Sequence, residues 1–505
     1  MTTRRDLLRV AAGTTLGAVG GLAVPPARAA DPALVGLWSP PYPWPDVAVH
    51  LHLLPASTPA TAVLLSHGRE YNPETDLEAN YTRSYVVGIP KNGAPLSSWV
   101  SVENRNTALF CSGHTFLQDG RLVTMGGHVV DVYYGAGDIN VFDYGPPSSW
   151  SLQTARLNAG RWYPSVIALP DGTVLVAGGY MVGQGQPNPL PQIWNPVAGT
   201  MRNLTGALAI MREYPKLFVL ADGRVVFVGP EPNTLFLDSS GAGIWRPGPP
   251  SGTKNRNRGT AVLYDAGKIL IMGGVAYGTA PAVATAQVLD VSASPLAWRQ
   301  VAPMNFARKH LNATQLPDGT VLVTGGSNSI PYNDASGAVH AAELWDPATE
   351  TWTVLASALI PRVYHSTALL LPDGRVLSAG GGQPAADNWG IDNTTVEIFS
   401  PPYLFRGPRP RVTSASATVT LGGTIRMSSP DAATIGAVNL LRLGSVTHGF
   451  NMNQRIARLT FSTTATGLRA QLPANPNLVL PGHYLLFALN HSGVPSIGRV
   501  VRIDA

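Results

Sequence analysis

The chain has 505 residues and one cysteine, Cys111. No internal disulfide can form, so the fold has no disulfide staple. Charge is scarce as well: Asp, Glu, Lys and Arg make up 13% of the residues, and the formal net charge is only +5. The basic residues are scattered, with no Lys/Arg block and no interleaved aromatic stripe, which excludes nucleic acid as an expected partner. After the N-terminal leader no apolar run is long enough to span a membrane. Gly-x-Ser-x-Gly, His-Glu-x-x-His and phosphate-loop motifs are absent. No carboxylate pair shares a repeat phase, as a propeller glycosidase would need.

What the chain does have is apolar residues (45%), glycine (53) and proline (44). That composition can bury a large core and suits many tight turns. The start, "MTTRRDLLRV", carries a twin arginine, Arg4 and Arg5, ahead of a weakly apolar run and the Ala27-Arg28-Ala29 cleavage pattern. Residues 1–29 are therefore expected to be a twin-arginine signal peptide of an exported, secreted or cell-surface bacterial protein.

A strand unit then repeats. It reads "LQDGRLVTMGG" (117–127), "LPDGTVLVAGG" (169–179), "LADGRVVFVG" (220–229), "YDAGKILIMGG" (264–274), "LPDGTVLVTGG" (316–326) and "LPDGRVLSAGG" (371–381), with a fainter "ATAVLLSHG" (60–68) before them. Asp-Gly signals a hairpin, the apolar run a buried strand, and Gly-Gly a place where backbones crowd. The spacing lies in the kelch range. The fold class expected is all-β: a seven-bladed kelch-type β-propeller over 32–402, then, past the Pro-rich "SPPYLFRGPRP", an immunoglobulin-like β-sandwich over 408–505.

The chemistry-bearing residues lie just upstream of Asp-Gly turns. Cys111 is in "ALFCSGHTFLQDG", Tyr163 in "AGRWYPSVIALPDG", and Tyr364 with His365 in "IPRVYHSTALLLPDG". Their shared phase stacks them at one end of a propeller axis. His448, in "LGSVTHGFNMNQR", would have to reach in from the sandwich on a hairpin. Adjacent strand residues face opposite ways, so Tyr364 and His365 converge on one point only if the chain bends there. Two imidazoles and two phenols suit Cu(II) with one position open. A thioether between Cys111 and Tyr163 would ease oxidation of that ring and would account for a lone cysteine. Taken as residue types alone, tyrosines and histidines at blade ends are more often packing groups. His50 and His52 in "VAVHLHLLP" are read as packing residues, and His114 and His128 as possible neighbours of the site.

The stretches "FCSGHTF", "RWYPSV", "RVYHSTALLLPDGRV" and "VTHGFNMNQR" resemble the active-site motifs of the copper-radical oxidases, the family of galactose oxidase and glyoxal oxidase. The resemblance covers nearly all of the chain after the leader. It implies one copper ion held by Tyr163, Tyr364, His365 and His448, and a protein-derived radical cofactor on Tyr163 cross-linked to Cys111. It implies Tyr364 as the base toward a substrate hydroxyl. It further implies oxidation of a small aldehyde hydrate or primary alcohol by O2, giving hydrogen peroxide; a copper-delivery protein is a candidate partner. Where galactose oxidase stacks a tryptophan on the cross-linked ring, this chain has Met181, next to Tyr180, and Trp162 is the candidate replacement. The alternative reading is a non-catalytic kelch propeller that binds extracellular or cell-wall polysaccharide.

Overall fold

The computed structural model describes residues 30–505, except 69–70, 73–76, 79–80, 130–133, 253, 278–279, 331–333 and 383–391. The expected leader at 1–29 lies outside the described residues. Among those described, the α-helix is a single turn, Pro32–Val35, and everything else is strands, turns and 3-10 turns. No described helix is long and apolar enough to cross a membrane.

The recurring unit is a four-stranded antiparallel meander. One copy runs Ser165–Ala168, Val174–Ala177, Gln192–Asn195, Thr200–Asn203, in register Val166↔Val176, Leu175↔Ile193 and Trp194↔Met201. The same order starts at Gly113–Phe116, Leu217–Val219, Thr260–Asp265 and Asn312–Gln315. The second strands of these meanders, the runs that follow Asp-Gly, are buried on both faces. That is why they read as continuous apolar runs rather than alternating ones. Asp-Gly makes the turn as its chemistry dictates: Asp171 Oδ1 accepts from Thr173 N–H at 3.0 Å, and Gly172 supplies φ 82°. Asp119, Asp222, Asp318 and Asp373 make the same turn bond. Gly-Gly marks a close approach: a Cβ on Gly126 would stand 2.3 Å from the Arg161 carbonyl oxygen.

Two sheets are completed from distant parts of the chain. Ser366–Leu370, Val376–Gly380 and Thr395–Ser400 receive the N-terminal strands Leu37–Trp38 and Tyr42–Pro43, with Leu37↔Ser400 and Tyr42↔Val396. The sheet of His50–Leu53, Thr61–His67, Thr82–Pro90 and Trp99–Asn104 receives Ser445–Thr447 and Phe450–Asn451 from the C-terminal region. Its register is His50↔Thr447, Leu51↔Val446, His52↔Ser445. First strands pack against each other in sequence order. Gly113–Phe116 meets Ser165–Ala168, which meets Leu217–Val219, and Asn312–Gln315 meets Ser366–Leu370, which meets His50–Leu53.

The C-terminal region is a separate eight-stranded sheet that curls over its own core. Ile456–Thr464 pairs with Ile435–Arg442 on one side and Gly467–Gln471 on the other. Leu440, Leu468, Tyr484 and Val501 fill the interior.

Candidate metal centre

Three of the expected site residues, Cys111, Tyr163 and His365, occupy one register position of the repeat. Cys111 precedes Asp119 by eight residues, as Tyr163 precedes Asp171 and His365 precedes Asp373. At that position the backbone turns left-handed: φ is 58° at Cys111, 64° at Tyr163 and 68° at His365. His448, on its hairpin, has φ 50°. Non-glycine residues pay strain there, of the order of 1 kcal/mol each, and such strain gathers at functional sites. The left-handed turn also answers the adjacency of Tyr364 and His365. With the chain bent at His365, the two rings stack at 3.7 Å between centroids instead of facing apart.

Buried arginines hold the turns. Arg161 and Arg308 stand two residues before Tyr163 and His310, and Arg362 three before His365. Each donates Nη1–H to the first Gly-Gly carbonyl of its own unit: Gly178 at 2.8 Å, Gly325 at 2.9 Å, Gly380 at 2.9 Å. The turns are also hydrogen-bonded to one another. Tyr163 N–H donates to Cys111 O at 3.0 Å, Tyr214 N–H to Tyr163 O at 2.8 Å, and His310 N–H to Arg258 O at 2.8 Å. A collar of strained residues is thus knitted between neighbouring sheets.

Inside this collar the side chains meet. Tyr163 Oη and Tyr364 Oη are 2.9 Å apart. Cys111 Sγ lies 3.4 Å from His448 Nε2. One ligand atom each from Cys111, His365 and His448 falls within 4.8 Å of the others. The His448 ring stands edge-on to Tyr163 at 5.3 Å and to Tyr364 at 5.4 Å. The sandwich histidine therefore reaches the two phenols, and the thiol shares a packed cluster with Tyr163.

Both imidazoles turn a basic nitrogen inward because the other nitrogen is occupied. His365 Nδ1–H donates to Gly382 O at 2.7 Å. His448 Nδ1–H donates to Thr447 Oγ1 at 2.6 Å, and Thr447 passes its own proton to Val49 O at 2.9 Å. That leaves Nε2 as the electron-pair donor on each ring, the arrangement typical of metal-ligating histidines. Burial drives the pKa of His448 well below its usual range, and His365, His310 and Lys216 push it further down. The ring is neutral, as a ligand must be. The donor set, two imidazoles and two phenols beside a sulfur, fits copper.

A cavity of about 270 Å³ opens onto Tyr163, Tyr364 and His448. Tyr214, Arg258 and His310 also line it, and the sequence reading missed all three. The signal was available. Tyr214 and His310 stand eight residues before Asp222 and Asp318, and Arg258 eight before Ala266, which takes the Asp place in "YDAG". All three share the left-handed turn, with φ 44°, 58° and 59° for Tyr214, His310 and Arg258. Lys216 was missed too. Its ammonium sits 4.5 Å over the Phe450 ring, and burial brings its pKa down to about 7 although Glu213 and Glu231 oppose the shift. Trp162 leans on Tyr163 at 4.7 Å and 31°, and His128 stacks on Trp162 at 5.1 Å. Tyr180 lines the cavity and pairs with Trp162 through the backbone; Met181 is half-buried and is not among the lining residues.

Fold and site together define an all-β protein of small antiparallel sheets, with imidazoles, phenols and one thiol gathered in a buried cluster at a cavity floor. Residues 102–403 match the family model "Glyoxal oxidase N-terminus", and residues 409–503 match "Galactose oxidase-like, Early set domain". The chain belongs to the glyoxal oxidase and galactose oxidase family. It is 28% identical over 512 residues to the galactose oxidase of Gibberella zeae, covering 93% of this chain and 71% of that one. It is 28% identical over 442 residues to the aldehyde oxidase GLOX of Vitis pseudoreticulata, covering 79% of this chain and 82% of that one. A fungal alcohol oxidase solved in complex with copper superposes with a TM-score of 0.82 at 26% identity, over 93% of this chain and all of that one.

Proposed function

We propose that this protein is a copper-radical oxidase acting on small aldehydes, as their hydrates, or on primary alcohols. What carries the reading is the meeting of Tyr163, Tyr364, His365, His448 and Cys111 within one strained collar, although they come from four distant stretches of sequence. Tyr163, Tyr364, His365 and His448 would hold one copper ion, and Cys111 would bond through sulfur to the Tyr163 ring. When bound, the ion supplies Lewis acidity and a one-electron store. The cross-linked ring supplies the second such store, because a sulfur substituent makes its radical easier to form. Tyr364 takes the substrate's hydroxyl proton, and the Tyr163 ring takes a hydrogen atom from the adjacent carbon. Two protons and two electrons leave the substrate and end on O2 as hydrogen peroxide. Trp162, leaning on the Tyr163 ring and paired to Tyr180 through the backbone, shields the radical. The seven sheets that begin with the collar-side strands are read as seven propeller blades over 32–402, followed by a sandwich over 408–505. The order in which those strands pack supports that reading. The twin arginine at 4–5 supports export to the outside of a bacterial cell, with copper brought by a delivery protein.

The test is chemical. After copper and oxygen treatment, mass spectrometry should find a Cys111–Tyr163 peptide lighter by two hydrogens. The protein should then release peroxide with glycolaldehyde, glyoxal or methylglyoxal in preference to galactose. An alkylatable Cys111 after that treatment returns the chain to a non-catalytic binding propeller.

The Thr447 link gives a sharper expectation. Thr447→Val keeps the volume but strands the His448 Nδ1–H. Stability should fall by about 1–3 kcal/mol, and copper affinity by about 10–100-fold. Thermal unfolding and a chelator competition would measure the two.

A further inference from the structure

In the collar, amides donate to carbonyls of the neighbouring turn. At Cys111 the amide meets a side chain instead: Cys111 N–H donates to His50 Nε2 at 3.1 Å. An amide nitrogen can only donate here, so His50 Nε2 is an acceptor and the His50 proton is on Nδ1. Every later proton then follows. His50 Nδ1–H donates to His114 Nε2 at 3.1 Å. His114 Nδ1–H donates to Ser445 Oγ at 2.6 Å. Ser445 has one proton, and it goes to His52 Nδ1 at 2.9 Å. His52 Nε2–H donates to His67 Nε2 at 3.3 Å. The His67 proton is left on Nδ1, which is buried and has no hydrogen-bond partner among the described residues. The four imidazoles and Ser445 are all fully buried. Reversing the chain would strip His50 of both protons, leaving an anion in the core, so one all-neutral arrangement exists.

This chain has no part in the proton and hydrogen-atom transfers above, since it ends on an amide. It does join the two halves of the centre. His50, His52 and His67 lie on the first sheet, and His114 on the strand that follows Cys111. Ser445 stands three residues before His448 on the sandwich hairpin. We propose that His50, His114, Ser445, His52 and His67 form a one-way hydrogen-bonded chain that positions the Cys111 backbone, and with it the thiol, against Tyr163 and His448. A strained φ of 58° at Cys111 persists only where its surroundings enforce it, and rigid rings passing one proton each enforce it better than water or a flexible side chain. The inference rests on the copper-radical reading for its purpose, but not for its first two readouts.

In copper-free protein, ¹⁵N spectra of histidine side chains should show Nδ1–H at His50, His114 and His67 and Nε2–H at His52. A different pattern overturns the chain, and this needs no variant. Ser445→Ala removes the central hydroxyl. Amide exchange at Cys111 should then speed up by about tenfold, the equivalent of one lost buried hydrogen bond. With copper and oxygen, formation of the Cys111–Tyr163 cross-link should slow by about the same factor. Ser445→Thr, which restores a hydroxyl, should recover both rates. Unchanged exchange and cross-linking in Ser445→Ala would overturn the proposal. If wild type forms no cross-link while Ser445→Ala still loosens the Cys111 amide, the oxidase reading fails and the positioning chain stands.

Discussion

Cys111→Gly is expected to give a folded protein that oxidises substrate about a thousandfold more slowly. The folding half follows from the backbone. Cys111 has φ 58°, where glycine is at ease and an L side chain is strained by about 1 kcal/mol. That relief offsets much of the roughly 1 kcal/mol lost with a small buried thiol, so the melting temperature should move by only a few degrees. The chemical half follows from the ring. Without sulfur, Tyr163 is an ordinary phenol and its radical is harder to reach. At ~59 mV per tenfold for one electron, a thousandfold loss corresponds to about 180 mV. The checks are peroxide release, the radical's visible absorption, and thermal unfolding on the same sample. Full turnover in Cys111→Gly would remove the thiol from the mechanism. Cys111→Ala, which keeps the strain, should lose activity equally and melt slightly lower than the glycine variant.

Copper-free protein should lose stability steeply as the pH falls below about 6.5. Buried imidazoles carry the effect, His50 and His448 among them. Burial holds His52 and His114 well below the usual value, and His67 down to about 3. Like charge adds to it: His114 and His67 on His52, and His67 on His114. The hydrogen-bonded groups facing these rings are one another, His50 and the Ser445 hydroxyl, and Trp150 stands edge-on to His67. In the unfolded chain each histidine takes up a proton near pH 6.5, while the folded chain refuses it. The unfolded state then binds more protons, so stability is complete above pH 6.5 and drains away as the pH drops toward the folded values. Each ring contributes a slope of about 1.4 kcal/mol per pH unit within that window. Urea titrations at pH 7.5, 6, 5 and 4.5 would read it. A flat profile from 7.5 to 4.5 would mean that the rings are charged or solvated when folded. His67→Phe should flatten the slope by about one proton.

The same chemistry bears on the cavity. Lys216, with its pKa brought to about 7, is part-neutral near neutral pH. Lys216 lines the same cavity as Tyr364 and His448.

Much of this was legible in the residues. The Asp-Gly and Gly-Gly beats announced the meanders, because turn chemistry is local: an Asp side chain reaching two residues ahead and a glycine with positive φ act within one hairpin. The four motifs named Cys111, Tyr163, Tyr364, His365 and His448. Tyr214, Arg258 and His310 keep the same eight-residue offset, but the offset alone does not say which side chains line the cavity. The His50-x-His52 pair was read as packing. Its rings are indeed buried, but their pairing with His114, His67 and Ser445 crosses strands far apart in sequence.

The amino-acid order alone determined the strand units, the turns that bound them and the residue types able to bind a metal, since each depends on interactions within about ten residues. Only the tertiary structure decided which of those residues meet. Two N-terminal strands finish the last sheet, a sandwich hairpin extends the first, and left-handed turns swing Cys111, Tyr163 and His365 toward one centre. Those outcomes follow from long-range strand pairing and close packing, where the partner of a residue is chosen by the whole fold and not by its neighbours in the chain.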